Sequence, residues 1–240
     1  MRRIPRKRAR SPEGGFTLIE LMVALSLSLF VLGGVIQLYL HNKQYYRFQE
    51  AAAQIQGQGR FAIETLSYHL RLAGYREKNP ETGVLDDAVL AANSRDGGSE
   101  KPDEITIQYE ASEDCAGNSA SPASVQAIAF HFETGADNGL YCNDEELVGG
   151  VENMQVVYGE DTDDDGVANR YLNRNAVADL DNVVSLRVAL LIASDVSVGA
   201  PGKGKSYSLV GTPVSVLDDG RLRSVYTTTI SIRNGDIKLF

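Results

Sequence analysis

The feature that most constrains the fold is an apolar run from Phe16 to Leu40 in which Glu20 is the only charged residue. At 1.5 Å of rise per residue, a helix of this length covers roughly 37 Å, enough to cross the hydrocarbon core of a bilayer. An unpaired charge in hydrocarbon costs on the order of 3 kcal/mol or more. We therefore expect Glu20 to have a partner. The nearest candidate is a free α-amino group close by, in the same chain or a neighbour, if the chain is cut before Phe16.

Charge is distributed unevenly along the 240 residues, whose formal net charge is −9. The first 15 residues hold six Lys or Arg and one Glu, a net +5, which leaves −14 for the rest. A basic cluster before a spanning helix keeps that end in the cytoplasm, so the acidic remainder is expected across the inner membrane. So acidic a chain is not a general polyanion binder, and we predict no nucleic-acid partner.

The apolar run is predicted to stay in the mature protein, because no small-x-small cleavage site follows it. Beyond it, apolar residues recur at steps of three or four from Phe48 to Ala73, as on an amphipathic helix face, and Gly74 ends the pattern. We predict one long helix with a transmembrane half at 16–40 and an amphipathic half at 41–73. His41 and His69 are expected on its surface.

Residues 74–240 are predicted to form a β-rich head, because apolar and polar residues alternate in several of its segments. The predicted strands are Glu104–Tyr109, Ala127–Glu133, Val151–Tyr158, Val183–Ala193 and Ser224–Arg233. Val183–Ala193 is the longest and most apolar, as expected of a central strand. The amphipathic half of the helix is the obvious cover for their apolar faces. The predicted fold class is α+β, with one long N-terminal helix packed on an antiparallel sheet.

Cysteine usage agrees with export to an oxidising compartment. The chain contains two cysteines, Cys115 and Cys142, which most simply form one disulfide in such a compartment. Two separate buried thiols are the alternative.

An acidic stretch resembles part of an EF-hand loop, with carboxylates at positions 1, 3 and 5, Gly166 at position 6 and an amide at position 9. The candidate ligands are Asp161, Asp163, Asp165 and Asn169. Position 12 is Leu172 in place of the usual bidentate glutamate, so Asp179 or Asp181 would have to supply a further oxygen. A structural Ca²⁺ site and a solvated acidic turn both remain open.

A second motif is expected to mislead. Residues Gly199–Ser206 match G-x-x-x-x-G-K-[ST], but a phosphate-binding loop needs a helix to begin at its Lys-Ser pair. Gly211 and Pro213 follow closely, so we predict a flexible basic loop between two strands. No H-E-x-x-H, G-x-S-x-G or C-x-x-C motif occurs, and we predict that the protein is not an enzyme.

The segment GGFTLIELMVAL, from Gly14 to Leu25, resembles the type III signal of type IV pilins and type II secretion pseudopilins. In that family a prepilin peptidase cuts after the glycine, here Gly15, and methylates the new N-terminal residue, here Phe16. The resemblance implies removal of a leader, residues 1–15. It also implies that Glu20, at the fifth mature position, pairs with the amino terminus of an adjacent subunit.

The helix exit LRLAGY, the acidic segment beginning YGEDTD and the ending TTTISIRN are similar to PilW-like minor pilins. The resemblance implies a minor pilin in initiation or tip assembly of a type IV pilus, a filament that can serve twitching motility. Its partners would be other minor and major pilins, the prepilin peptidase, the inner-membrane assembly platform and, before assembly, the lipid bilayer. The protein would cross the inner membrane once, with its head in the periplasm, and later join the pilus.

Three alternatives remain. The J-type pseudopilin of a type II secretion system shares the signal, the long helix and the sheet. A membrane-anchored periplasmic enzyme would use the acidic loop as a catalytic metal site, which needs an open metal position and a second polar group. An adhesin or DNA-uptake head at the pilus tip is compatible with the minor-pilin interpretation.

Overall fold

The structure is a computed structural model that describes residues 15–76, 88–89, 94–99, 101–133 and 138–234, with the backbone alone at 120–125 and 132–133. Of the predicted leader, only Gly15 lies within the described residues, and much of the predicted head between residues 76 and 101 lies outside them. The chain divides into two compact units, Met1–Tyr46 and Arg47–Phe240.

One helix, α1, runs from Leu18 to Leu72 and confirms the predicted long helix. In the first unit, every described residue is exposed, including the whole apolar run. Its length and composition would allow α1 to cross a membrane. In the second unit, one face of α1 is buried. Phe48, which we predicted on that face, is 45% exposed, and the buried face begins at Ala51.

Two four-stranded antiparallel sheets make up most of the second unit. The first sheet has the order β1-β2-β3-β4, and its strands are Ile105–Glu113, Ser119–Glu133, Gly139–Cys142 and Glu145–Gly149. The second sheet has the order β10-β7-β5-β6. In chain order its strands are β5 Val151–Glu160, β6 Arg170–Leu172, β7 Val183–Ser197 and β10 Arg221–Ser231. The predicted central strand is therefore confirmed as the core of β7, which pairs with β5 on one side and β10 on the other.

A hairpin and two short 3₁₀ turns complete the described elements. The hairpin consists of β8, Lys205–Leu209, and β9, Thr212–Val216, and the 3₁₀ turns are Arg174–Ala176 and Leu180–Asn182. Five strands were missed by the sequence analysis, namely β3, β4, β6, β8 and β9, and each has only three to five residues.

The core lies between α1 and the two sheets. Ile55, Ala62, Leu66 and Leu70 of the helix belong to one buried apolar cluster with residues from both sheets. This confirms the prediction that the amphipathic half of the helix covers the strands. A smaller cluster joins β7 to the β8–β9 hairpin through Ala189, Leu191, Leu209 and Val214.

The end of the helix is attached to both sheets. The Gly74 amide donates to the Gln108 carbonyl of β1 at 2.8 Å. Asn234, just beyond β10, donates through its side-chain amide to the Arg71 carbonyl at 3.2 Å. Gly74 has φ of +78°, a conformation that favours glycine at a helix end.

The predicted surface position of His69 is wrong, because the structure buries this residue. Its Nδ1 lies 2.7 Å from the Tyr109 hydroxyl of β1. The residue lies between Leu66 and Ala73 on the helix, three and four residues from two buried neighbours, and so shares their face.

Candidate functional site

The first residues of α1 form a reciprocal hydrogen-bonded cap. The Thr17 backbone amide and hydroxyl donate to Glu20 Oε2 at 3.0 and 2.8 Å, and the Glu20 amide donates to Thr17 Oγ1 at 3.3 Å. Thr17 directly precedes the helix and Glu20 occupies its third position, so the pair has the spacing of a capping box. The carboxylate thus satisfies an amide that a helix leaves without an internal partner.

Thr17 is a helix-capping residue that the sequence analysis missed. The structure gives Glu20 a partner within its own chain, and that partner is the side chain and amide of Thr17. The signal was present in the sequence, because Thr-x-x-Glu before an apolar run is a known mark of a helix start.

The predicted processing residues lie immediately before this cap. Gly15 and Phe16 have no helical assignment, Phe16 is 90% exposed, and no described atom crowds Gly15. On one side of the helix, Ile19, Glu20, Val23, Ala24 and Leu27 line a shallow groove. The carboxylate is therefore accessible from outside the chain even while it caps the helix.

The predicted disulfide is confirmed. Cys115 and Cys142 are bonded across a Cα–Cα distance of 6.2 Å, at a sequence separation of 27. The bond joins the turn after β1 to the end of β3, where Cys142 is fully buried. By loop entropy such a bond stabilises the fold by roughly 3–4 kcal/mol.

The acidic loop between β5 and β6 brings its three aspartates together. One carboxylate oxygen from each of Asp161, Asp163 and Asp165 lies within 4.8 Å of the others. The Asn169 side-chain amide donates to Asp163 at 3.2 Å, so the fourth predicted ligand belongs to the same cluster. The Gly166 amide donates to Asp161 at 2.7 Å.

The chemistry of this loop fits a hard cation only in part. Burial alone would raise the pKa of Asp161, but hydrogen bonds from the Gly166 and Asp163 amides outweigh it and hold that pKa below its usual value. The carboxylates supply the oxygen ligands that Ca²⁺ prefers. Asp179 is not a member of the cluster and instead accepts from the Asp181 amide at 3.1 Å. Asp179 therefore does not supply the oxygen ligand that would replace the missing glutamate at position 12.

The Gly199–Ser206 segment does not form a phosphate-binding loop. The Gly199 and Gly202 amides donate to the carbonyls of Gly220 and Asp218 at 3.1 and 3.0 Å. The Lys205 ammonium lies 3.2 Å from an Asp218 carboxylate oxygen. A strand, β8, begins at Lys205 where a phosphate site requires a helix. This agrees with the predicted loop between two strands.

Two family comparisons bear on the identity of the chain. Residues 118–234 match the family described as Type IV Pilus-assembly protein W, and residues 10–36 match the prokaryotic N-terminal methylation motif. Together the two matches support a PilW-like type IV minor pilin. The methylation-motif match contains Gly15, Phe16, Thr17 and Glu20, and the PilW match begins in the turn before β2 and ends just after β10.

Among solved structures, this minor pilin is similar to a type IV-like pilin from Thermus thermophilus. The two share 18% sequence identity with a TM-score of 0.46, and the similarity covers 76% of this chain and 98% of the other. No curated protein sequence matches the chain.

Proposed function

We propose that this PilW-like minor pilin takes part in initiation or tip assembly of a type IV pilus. The observation that carries the proposal is the first part of α1, an apolar helix with every described side chain exposed and a carboxylate at its start. Such a surface needs lipid or other apolar helices around it, because water disfavours it. In this proposal, the helix leaves the bilayer and packs among the helices of other pilins.

The proposed processing step exposes the group that Glu20 needs. Removal of residues 1–15 by the prepilin peptidase frees the amine of Phe16, whose preceding peptide bond is accessible. The amine of a neighbouring subunit then pairs with Glu20. In the isolated subunit the Thr17 amide and hydroxyl donate hydrogen bonds to this carboxylate instead. The ammonium–carboxylate pair joins two opposite charges, whereas Thr17 offers only neutral donors, and this Coulomb attraction favours the exchange in an apolar filament core.

The proposal also assigns a location and partners. The chain is first a single-pass protein of the inner membrane with its head in the periplasm, and it then becomes part of the pilus. Its partners are other minor and major pilins, the peptidase and the assembly platform. The match to the PilW family supports a pilus subunit over the J-type pseudopilin of a type II secretion system.

We further propose a structural Ca²⁺ in the acidic loop. Asp161, Asp163, Asp165 and Asn169 would hold the ion, and its charge would offset the mutual repulsion of the carboxylates. These side chains also bind one another and the loop's own amides. That pattern favours a structural role over a catalytic metal centre.

Substitutions at Glu20 test the assembly mechanism. Glu20→Ala removes both the cap and the charge, whereas Glu20→Gln retains a side chain that capping boxes accept. If the charge pairs with a neighbour, both variants lose incorporation into filaments. Loss of a charged hydrogen bond costs about 1.5–3 kcal/mol, or roughly a 10- to 100-fold loss of incorporation. The readout is the ratio of this subunit to major pilin in purified filaments.

Processing is measured in the same cells by N-terminal sequencing. Gly15→Ala is the control, since it should leave an uncut, membrane-bound precursor, while both Glu20 variants should be cut normally. Normal incorporation of Glu20→Gln with loss of Glu20→Ala would assign the residue to helix capping alone. Normal cutting of Gly15→Ala would contradict the processing site.

A further inference from the structure

Tyrosines cluster on α1 just where its apolar run ends. Tyr39, Tyr45 and Tyr46 are 65%, 63% and 69% exposed, and Lys43 lies among them. Tyr and Trp favour the boundary between lipid and water, because their rings are apolar and their tips are polar. Lysine favours the same depth, since its stem lies in lipid and its ammonium reaches the phosphates.

The arrangement of these tyrosines around the helix favours lipid over a protein partner. At 100° per residue, Tyr46 is about 20° from Tyr39, Tyr45 is about 120° away on that side and Lys43 is about 40° away on the other, so the four side chains spread over about 160° of the helix circumference. A neighbouring helix contacts one stripe, whereas a lipid interface surrounds the helix on all sides.

The distance from this cluster to Glu20 matches one bilayer. Leu21–Leu40 contains no charged residue and spans roughly 30 Å as a helix, the thickness of the hydrocarbon core. Ser26 and Ser28 lie within it, and their hydroxyls donate to the carbonyls of Met22 and Ala24 at 2.8 and 2.7 Å. These two polar groups are therefore satisfied without water.

We propose that Tyr39, Tyr45, Tyr46 and Lys43 form a girdle in the headgroups of the outer leaflet that fixes the depth of α1 and places Glu20 in the inner headgroups. The apolar residues between Glu20 and this girdle then span the hydrocarbon. A charge costs much less at the interface than at the bilayer centre, so Glu20 reaches the membrane boundary already accessible to an incoming amine. This inference rests on the membrane stage of the proposed function.

The absence of tryptophan from the chain allows a direct test, because each introduced Trp is the sole one. The full-length protein carrying Phe30→Trp, Tyr45→Trp, Tyr46→Trp or Tyr68→Trp is reconstituted in phosphatidylcholine vesicles with bromine at a shallow or a deep acyl position. Phe30 lies at the middle of the apolar run. Tyr68 has the same 63% exposure as Tyr45 but lies in the second unit, so it is the matched control.

We expect deep bromines to quench Phe30→Trp most strongly, shallow bromines to quench Tyr45→Trp and Tyr46→Trp, and neither to quench Tyr68→Trp. Quenching of the Tyr45 and Tyr46 variants no stronger than that of Tyr68→Trp would overturn the girdle. If Phe30→Trp is still quenched in that case, membrane insertion stands. If Phe30→Trp is also unquenched, the membrane stage of the proposed function fails with it.

A second measurement tests whether the girdle sets the depth. In the Phe30→Trp background, Tyr45→Ser combined with Tyr46→Ser should shift the ratio of deep to shallow quenching, and Tyr68→Ser should leave it unchanged. An unchanged ratio in the double variant would overturn the anchoring role. If the Tyr45→Trp side chain is shielded from water only when other pilins are added, and not by lipid alone, the tyrosines would be assigned to a protein contact instead.

Discussion

His69 lies between α1 and the first sheet and is the buried titratable group that joins them. Its Nδ1 contacts the Tyr109 hydroxyl, and its ring centre lies 5.8 Å from that of Phe130. Burial lowers the pKa of His69, and the charge of Asp114 only partly opposes this. Burial also raises the pKa of Tyr109 to about 12, so the phenol stays neutral. Near neutral pH the contact is one hydrogen bond between two uncharged groups.

The depressed pKa of His69 makes stability depend on pH. In the unfolded chain the imidazole takes up a proton below about pH 6.5, whereas the folded protein resists it until lower pH. The unfolded state therefore binds more protons there, and the free energy of unfolding falls as pH drops below about 6.5. His69→Gln, which cannot titrate, should lack this part of the fall in urea unfolding measured at several pH values.

Asp103 also makes stability depend on pH, so the effect of His69 must be measured as the difference between wild type and His69→Gln. Burial raises the pKa of Asp103 to about 6, so its contribution runs in the opposite direction over the same range. The wild-type curve combines both groups, but the difference between wild type and His69→Gln isolates the histidine. Parallel pH curves for the two proteins would contradict the assignment.

At the scale of elements, alanine substitutions at two glycines of α1 distinguish the effect of helix propensity from the effect of packing. A Cβ at Gly59 would overlap the Tyr226 ring of β10, whereas a Cβ at Gly57 meets no described atom within 4 Å. Gly57→Ala should therefore stabilise the fold by up to about 1 kcal/mol through helix propensity alone. Gly59→Ala should destabilise it by about 1–3 kcal/mol through overpacking.

The paired glycine variants control for each other, because both make the same chemical change two residues apart on one helix. Urea midpoints of the purified protein give the comparison. Stabilisation by both alanines would show that α1 and β10 are not closely packed at Gly59.

The acidic loop should respond to calcium removal. If it binds with a Kd of about 0.5 mM, as extracellular modules do, then 5 mM Ca²⁺ stabilises the fold by about 1.4 kcal/mol, or roughly 3–6 °C in melting temperature. Asp163→Asn should reduce this shift. Mg²⁺ at the same concentration is the control for general screening. Equal melting temperatures in chelator and in calcium would leave only an acidic turn.

Long, regular segments of this chain were predictable, and short or tertiary features were not. The helix and five strands repeat their pattern over enough residues to reveal a period, whereas Arg170–Leu172 is too short to show one and exists through its pairing with β5. His69 was misplaced because a polar side chain is expected to face water, although its spacing from Leu66 matched the buried stripe. Where Asp179 lies relative to Asp161 depends on the fold, and sequence spacing cannot supply it.

At the scale of the whole molecule, burial is confined to the second unit. No described residue before Ala51 is buried, and the second unit begins at Arg47. A fragment of residues 47–240 should therefore be soluble without detergent and unfold cooperatively, with a melting temperature close to that of the full chain. Circular dichroism and gel filtration check this. A fragment that aggregates or melts without cooperativity would mean that the first unit stabilises the second.

The attachment of the helix end to both sheets has a mechanical consequence. Asn234 ties the end of β10 to Arg71, and Gly74 is bonded to β1 through Gln108. A pull along α1 is therefore divided between two sheets at the C-terminal end of the helix. In the proposed filament, neighbours would load each subunit through its helix, and this divided load would protect the head from peeling open one strand at a time.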